Sequence, residues 1–406
     1  MSAADTDGQA PATTLVTAGR SGDFAARVVN PPVWRASTHL YADCAELRAA
    51  AKAANEDGRF YYGRRGSPTQ WALAEALTAI EPGAAGTVLY PSGLAAIAGA
   101  LLAVVNPGDV LLVADNAYEP TRNTALGLLK RIGVDHRFFD PLDHAAYAAA
   151  FCERTTAVML ECPGSLTMEV CDVPALAATA RAKGATVLLD NTWTTALGFP
   201  ALERGADIAI TALTKHVGGH SDLMMGAASA GEGWYRKLRQ SAQQLGQIVS
   251  PDDAALALRG LRTMGLRLER QSATALAIAE WLAGRDEIAH VLCPMLDGSP
   301  GHKLWQRDFT GGCGLFSFVL KGGDDAARCR LIDRLALFGI GYSWGGFESL
   351  ALPFDVVPVR SAMPWPRVGW DKGDRFAVRL SIGLEDGGDL VADLERGLAA
   401  WRGEAT

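Results

Sequence analysis

The chain has 406 residues, 49% hydrophobic and 20% charged, a composition that supports a large packed core in one or two domains and excludes a largely disordered chain. Its formal net charge of −7 at pH 7, with no long basic block, gives no electrostatic footprint for nucleic acid. No run approaches the roughly 20 apolar residues needed to span a bilayer, and the opening "MSAADTDGQAPATTL" lacks the basic and apolar regions of a secretion signal.

A soluble, cytoplasmic protein with a frayed N-terminus is expected. The seven cysteines, Cys44, Cys152, Cys162, Cys171, Cys293, Cys313 and Cys329, are odd in number and show no CxxC spacing, so neither a disulfide framework nor a zinc site is expected. Cys162 and Cys171 read as small buried hydrophobes in a reducing compartment.

Residues 1–60, including "NPPVWRASTHLY", show neither helical nor strand periodicity and read as an extended N-terminal arm. From about residue 85, short apolar runs alternate with longer amphipathic ones. "GTVLYPS" predicts a strand, "GLAAIAGALLAVV" a helix and "VLLVAD" a strand; "EPTRNTALGLLKRIG" predicts a helix, "VDHRFFD" and "TTAVMLEC" strands, "VPALAATARAKG" a helix, and "ATVLLDN" and "ADIAITAL" strands. That alternation is the pattern of a doubly wound, mostly parallel α/β sheet. After about residue 230 the periodicity becomes almost wholly helical, and "CGLFSFVLKGG", "RFAVRLSIGLED" and "LVADLERGLAAW" then predict two strands and a helix of an α+β unit.

Open parallel sheets bind ligands at the carboxyl ends of their strands, so the residues just beyond each apolar run are the candidates for chemistry. "LYPSGLAAI" places Ser92 and Gly93 between a strand and a helix, where free N–H groups can hold a phosphate or simply form a turn. "VADNAYEP" ends a strand at Asp115 and then offers Tyr118, which can stack on a planar ring or serve as a half-buried aromatic. "TVLLDNTW" ends in Asp190, a carboxylate that needs a cationic or hydrogen-bonding partner, such as a protonated pyridine nitrogen or a structural ion pair. "TALTKHVGGHSDLMMG" then sets Thr214 and Lys215 at the end of another core strand. A desolvated lysine there suits a Schiff base. Neither a phosphate-loop spacing nor a dinucleotide glycine fingerprint is present. His216 and His220 are four apart, but Gly218 and Gly219 between them disfavour a zinc helix, and they read as backbone partners around the lysine.

Taken together and in order, these stretches resemble the Cys/Met-metabolism, cystathionine γ-synthase-like family of pyridoxal 5′-phosphate (PLP) enzymes. The motifs are "FYYGRRGSPTQWALAEALTAIE", "LYPSGLAAI", "NAYEPTR", "LECPGSLTMEVCDVPAL", "LLDNTW", "TKHVGGHSDLMMG", "GYSWGGFESL" and "VRLSIGLED", spanning about residues 60 to 390.

The resemblance implies fold type I, with a PLP-binding α/β domain at 61–258, a C-terminal α+β domain at 259–406 and the arm at 1–60 contacting a neighbouring subunit. It implies that Lys215 carries the cofactor and acts as base, that Asp190 faces the pyridinium nitrogen, and that Ser92, Gly93, Leu94 and Thr214 hold the phosphate. Tyr118 would stack on the ring. Tyr62 and Arg64 would reach the phosphate of a neighbouring subunit, in a homotetramer built of dimers with shared sites. Arg379 would clamp the substrate carboxylate beside Ser343 and Trp344. Either tyrosine would assist proton transfer only if neighbouring cations lowered its pKa.

The chain departs from many relatives at "GSPT", at Ser165 and at Ala212, where a hydroxyl residue is usual. "RRGSPT", "PGSLTMEV" and "YSWGGFES" point to the β-lyase branch. The implied reaction is cleavage of L-cystathionine to homocysteine, pyruvate and ammonia in methionine biosynthesis, with other cysteine S-conjugates as further substrates. The alternatives are a γ-lyase or γ-synthase and a non-catalytic PLP-binding regulatory protein.

Overall fold

The computed structural model describes residues 9–20, 28–54 and 56–404. Its first sheet has seven strands: β1 (Gly86–Tyr90), β2 (Val110–Ala114), β3 (Asp135–Phe139), β4 (Thr155–Glu161), β5 (Thr186–Asp190), β6 (Ile208–Thr211) and β7 (Gly226–Ala230), in the order β1-β7-β6-β5-β4-β2-β3. The pairs from β3 through β6 are parallel. β7 runs against both β6 and β1, which leaves β1 parallel to the rest.

The continuous apolar runs reflect burial on both faces. Along β2, Val110, Leu112 and Ala114 enter one core, and Leu111 and Val113 enter the other. Helices Pro68–Ile80 and Val173–Ala182 contribute Leu73, Leu77 and Leu176 to the first core. Helices Gly93–Val104 and Glu232–Gln244 contribute Ile97, Leu101 and Leu238 to the second.

Every strand that the sequence predicts in this sheet is present. Two elements carry a weaker sequence signal, the helix His144–Ala150 and β7, whose "GAASA" lacks β-branched residues. β7 is small for a steric reason. A Cβ on Gly226 would lie 2.4 Å from the Ser92 carbonyl oxygen and 2.8 Å from Gly93 Cα, so only glycine lets this strand pass under the start of the helix Gly93–Val104. The predicted helix at 119–133 is also modified, by a π turn at Ala125–Leu129 after the regular turns Glu119–Thr124.

After helices Pro251–Leu261 and Met264–Ala283 comes a five-stranded sheet: β8 (Ile288–Leu292), β9 (Leu315–Leu320), β10 (Gly339–Ile340), β11 (Leu350–Phe354) and β12 (Ala377–Ser381), ordered β10-β11-β12-β9-β8. It is antiparallel except at β10–β11. The helix Gly387–Trp401 closes the chain, with Leu390, Leu394 and Leu398 buried.

The N-terminal expectations need correction. The opening stretch is not frayed from Pro11 onward: Pro11–Thr17 is helical, Leu15 is buried, and Arg262 donates to the carbonyls of Leu15 and Ala18 at 2.7 and 2.8 Å. Residues 1–8 lie outside the described residues. The arm also contains the helix Cys44–Lys52, capped by Asp43, so it is not extended throughout. No described helix is long and apolar enough to cross a membrane.

The Gly226 contact predicts that Gly226→Ala destabilises the protein by about 1–3 kcal/mol through overpacking. Urea titration followed by circular dichroism checks it, and an unchanged midpoint would contradict the steric account.

Candidate active site

Four parallel strands of the first sheet deliver polar side chains to the same edge. β5 ends at Asp190, which is 8% exposed and in register with Glu161 at the end of β4. Asp190 Oδ1 accepts from the N–H and hydroxyl of Thr192 at 3.1 and 2.5 Å, and Oδ2 accepts no hydrogen bond among the described residues. Burial pushes this carboxyl up, while Thr192 and the charge of Lys215 pull it back. One oxygen is thus secured and the other is left for a cationic donor.

After β6 the chain turns sharply at Thr214 and Lys215. The Thr214 hydroxyl is engaged with the main chain of Met225, donating to its carbonyl at 3.1 Å and accepting from its N–H at 3.0 Å. This pins the loop beneath the lysine. Lys215 Nζ donates to Ser343 Oγ at 2.7 Å and lies 5.3 Å from the centre of the Trp344 ring, with no ion-pair partner among the described residues. Burial first, and then the charge of Arg379, bring its amine down to about 8; Asp190 opposes them.

Ser343 and Trp344 arrive from the second sheet, just before β11. Ser343 holds φ at 86°, a conformation that non-glycine residues seldom adopt. Its carbonyl accepts from Arg379 Nη2 at 3.0 Å. Arg379, on β12, is brought down to about 10 by burial, with the phenols of Tyr118 and Tyr342 near enough to oppose the shift. One serine therefore touches both the amine through its hydroxyl and the guanidinium through its carbonyl.

The helix Gly93–Val104 starts beside this group. Ser92 caps it by accepting from Ala95 N at 3.0 Å, which leaves the N–H groups of Gly93 and Leu94 without acceptors among the described residues. A Cβ on Gly93 would lie 2.7 Å from Ala212 Cβ, so the helix end and the lysine turn are in close contact.

Tyr118, 45% exposed, caps the helix Glu119–Thr124, and its N–H donates to Glu161 Oε2 at 2.6 Å. Burial and the nearby Glu161 and Asp190 push its phenol above the ordinary value, and Arg379 only partly offsets them. Within the chain, the surroundings of Tyr118 therefore raise its phenol and do not depress it.

Tyr62 and Arg64 are not brought to this group within the chain. They lie at the 3-10 turn Gly63–Arg65, Tyr62 is half exposed, and Arg64 donates to the Gln243 carbonyl at 3.0 Å. The histidines contact main chain: His216 Nε2 is 3.0 Å from the Trp193 carbonyl, and His220 Nδ1 is 2.8 Å from that of Gly218.

Two residues of the site escape the sequence reading. Glu161 carries the same signal as Asp190, an acid ending an apolar strand. Burial and the neighbouring Asp190 raise its carboxyl well above the usual range. Tyr342, 88% exposed beside Arg379, carries no signal of its own.

The sequence model of the family described as Cys/Met metabolism PLP-dependent enzyme matches residues 12–399. The cystathionine beta-lyase of Escherichia coli is 41% identical over 95% of this chain and 98% of its own. That of Salmonella typhimurium is 42% identical over 95% and 98%. A crystal structure of cystathionine gamma synthase from Xanthomonas oryzae pv. oryzae superposes with a TM-score of 0.87 and 33% identity, covering 98% of this chain and 99% of that one.

The lowered amine gives a direct test. In protein freed of small ligands, acylation of Lys215 by an amine-directed anhydride should rise with pH through a midpoint near 8, well below the ~10.4 of a solvated lysine. Arg379→Gln removes a charge that favours the neutral amine and should move the midpoint upward. Peptide mass spectrometry reads both, and a wild-type midpoint at the solvated value would contradict the desolvation account.

Proposed function

The chain belongs to the Cys/Met metabolism PLP-dependent enzymes, and we propose that it is a carbon–sulfur β-lyase cleaving L-cystathionine to homocysteine, pyruvate and ammonia, a step of methionine biosynthesis. Its cofactor is pyridoxal 5′-phosphate. The observation that carries the reading is Lys215: a desolvated amine held by Ser343 Oγ at 2.7 Å, between the strand-end carboxyl of Asp190 and the guanidinium of Arg379.

The residues fit the cofactor. Gly93 and Leu94 offer two unengaged N–H groups at the end of a twelve-residue helix, suited to a phosphate beside Ser92. Asp190 Oδ2 is free to accept from a pyridinium nitrogen. Tyr118 presents a half-exposed ring above the same edge, and Lys215 supplies the amine that a carbonyl requires. Thr214 serves this phosphate region by holding the Met225 loop, since its hydroxyl is committed there.

When bound, the cofactor supplies an electron sink for the pair released at the substrate Cα. Arg379 takes the substrate α-carboxylate in its planar fork, which fixes the Cα–H bond toward Lys215. Lys215 Nζ, neutral over an accessible pH range, removes that proton, and Ser343 Oγ restrains the amine on the correct side. Asp190, with Oδ1 engaged by Thr192, would offer Oδ2 to the ring nitrogen, whose positive charge would favour its ionised form. Tyr118, with its phenol held protonated, stacks and donates rather than acting as base. The Cβ–S bond then breaks, the leaving thiolate takes up the proton carried by Lys215 Nζ, and water hydrolyses the released 2-aminoacrylate to pyruvate and ammonia. Trp344 lines the lysine's other flank, its ring centre 5.3 Å from the amine.

Tyr62 and Arg64 are surface-placed in the chain, and this supports a role in the site of a second copy, within a homotetramer of dimers. The exposed arm residues Val29 and Leu40, 68% and 92% exposed, suit burial in the same contact.

Purified protein incubated with L-cystathionine should release pyruvate and not 2-oxobutyrate; the second acid would assign γ-elimination instead. Lys215→Ala should lower the rate at least ~10²–10⁴-fold. Arg379→Gln should raise KM roughly 10- to 100-fold, the worth of a charge-assisted pair. Mixing Arg64→Ala and Lys215→Ala subunits after mild dissociation should restore up to about a quarter of wild-type activity, because one shared site of each mixed dimer is intact. No recovery on mixing, despite subunit exchange, would place Arg64 outside the neighbouring site.

A further inference from the structure

Directly after β2 comes Asp115, a carboxylate with no solvent exposure, and none of the roles above uses it. Its oxygens are saturated from two directions. Arg122 Nη1 donates to Oδ1 at 2.5 Å from the same side of the sheet. Across the molecule, Ser361 N, Ala362 N and Met363 N donate to Oδ2 at 2.9, 2.8 and 2.8 Å, and the Ser361 hydroxyl donates to Oδ1 at 3.0 Å. The Asp115 carbonyl accepts from Arg360 Nη1 at 2.5 Å.

Each half of this arrangement leads to a site residue. On the near side, Arg122 belongs to the helix Glu119–Thr124, whose cap is Tyr118, and Tyr118 O accepts from Thr121 N and Arg122 N. The Asp115–Arg122 pair thus closes the turn 115–122 around Tyr118. On the far side, residues 355–376 form one long excursion between Phe354 and Ala377, which pair with each other in the second sheet. Arg379 stands two residues beyond that pair. The same excursion is fastened again where Arg360 Nη2 donates to the Ser165 carbonyl at 2.9 Å and Arg367 Nη2 donates to the Thr167 carbonyl at 2.9 Å.

We propose that Asp115 is a positioning residue of the active site, a buried clamp that sets the turn presenting Tyr118 and the loop leading into Arg379 against each other. It touches neither substrate nor cofactor. The inference rests on the reading that Tyr118 and Arg379 face them. A fully satisfied buried carboxylate contributes geometric specificity more than net stability, and sub-ångström placement of a carboxylate clamp governs rate and affinity.

The test uses full-length holoenzyme and L-alanine, which has no Cβ leaving group, with binding read from the absorbance of the bound cofactor. Asp115→Asn should weaken L-alanine binding on the order of tenfold and lower kcat/KM for L-cystathionine comparably, with the cofactor still bound. In an Arg379→Gln background the same substitution should weaken L-alanine binding less than about twofold, because the clamp acts through that residue. In cofactor-free protein, amide exchange at Ser361–Met363 should accelerate about tenfold or more. If Asp115→Asn does not fold, Ser361→Ala, which removes one donor and leaves the carboxylate, should weaken L-alanine binding two- to fourfold.

Equal effects in the two backgrounds, or unchanged binding with a lowered melting temperature, would reduce Asp115 to a structural residue and overturn the proposal. L-Alanine binding needs no elimination, so a protein that made no pyruvate yet bound L-alanine would sink the lyase reading while leaving this test intact.

Discussion

Bringing a lysine amine down toward the physiological range, so that its neutral form becomes accessible, is the constraint around which this molecule is arranged. A solvated lysine is protonated there and cannot attack a carbonyl or accept a proton from carbon. Burial beside the Arg379 guanidinium lowers the Lys215 amine, and the carboxyl of Asp190 stands close enough to oppose that without forming an ion pair. An amine, a guanidinium and a carboxyl in a partly desolvated space demand rigid placement, because their interaction changes steeply with distance at low dielectric.

The architecture supplies that rigidity by bringing two sheets to one place. The parallel sheet aims the ends of β1, β4, β5 and β6 at a common edge, and its helix dipoles and unengaged N–H groups favour an anion there. The antiparallel sheet brings Arg379 and Ser343. Ser343 joins the two, with its hydroxyl on Lys215 and its carbonyl on Arg379, and it holds a strained backbone to do so. Glycine keeps two close approaches open: at Gly226 a side chain would push β7 from the helix start, and at Gly93 it would push the helix start from the lysine turn.

Acidic strand ends recur around the edge, and their environments separate them. Asp190 keeps one oxygen free beside the lysine. Glu161 sits at the same register one strand away, its carboxyl raised by burial and by Asp190, and serves as acceptor for the Tyr118 N–H. Asp115 is also buried, yet three amides and Arg122 hold its carboxyl below the ordinary value despite that burial. Burial raises Asp190 and Glu161, while the amides and Arg122 lower Asp115, so neighbouring carboxyls are shifted in opposite directions by the donors around them.

Much of this is written in the linear order of residues. Apolar runs buried on both faces announce the parallel strands, and an acid or lysine ending such a run stands out because it has no solvated alternative; Asp190, Lys215 and Asp115 are visible for that reason, and Glu161 bears the same mark. The glycine-opened helix after β1 is equally legible. β7 is not, because its small residues answer to the helix start above it rather than to strand propensity, and the helix Pro11–Thr17, anchored through buried Leu15, is not, because its partner Arg262 lies far along the chain. Contacts between residues 128 apart, as Lys215 and Ser343 are, or 246 apart, as Asp115 and Ser361 are, leave no local trace. Which groups end on the sheet's carboxyl edge is dictated along the chain, since apolar periodicity and burial govern where each strand stops. Which distant loops meet those groups is settled by packing between the two sheets, and those meetings set the protonation and the placement on which the chemistry rests.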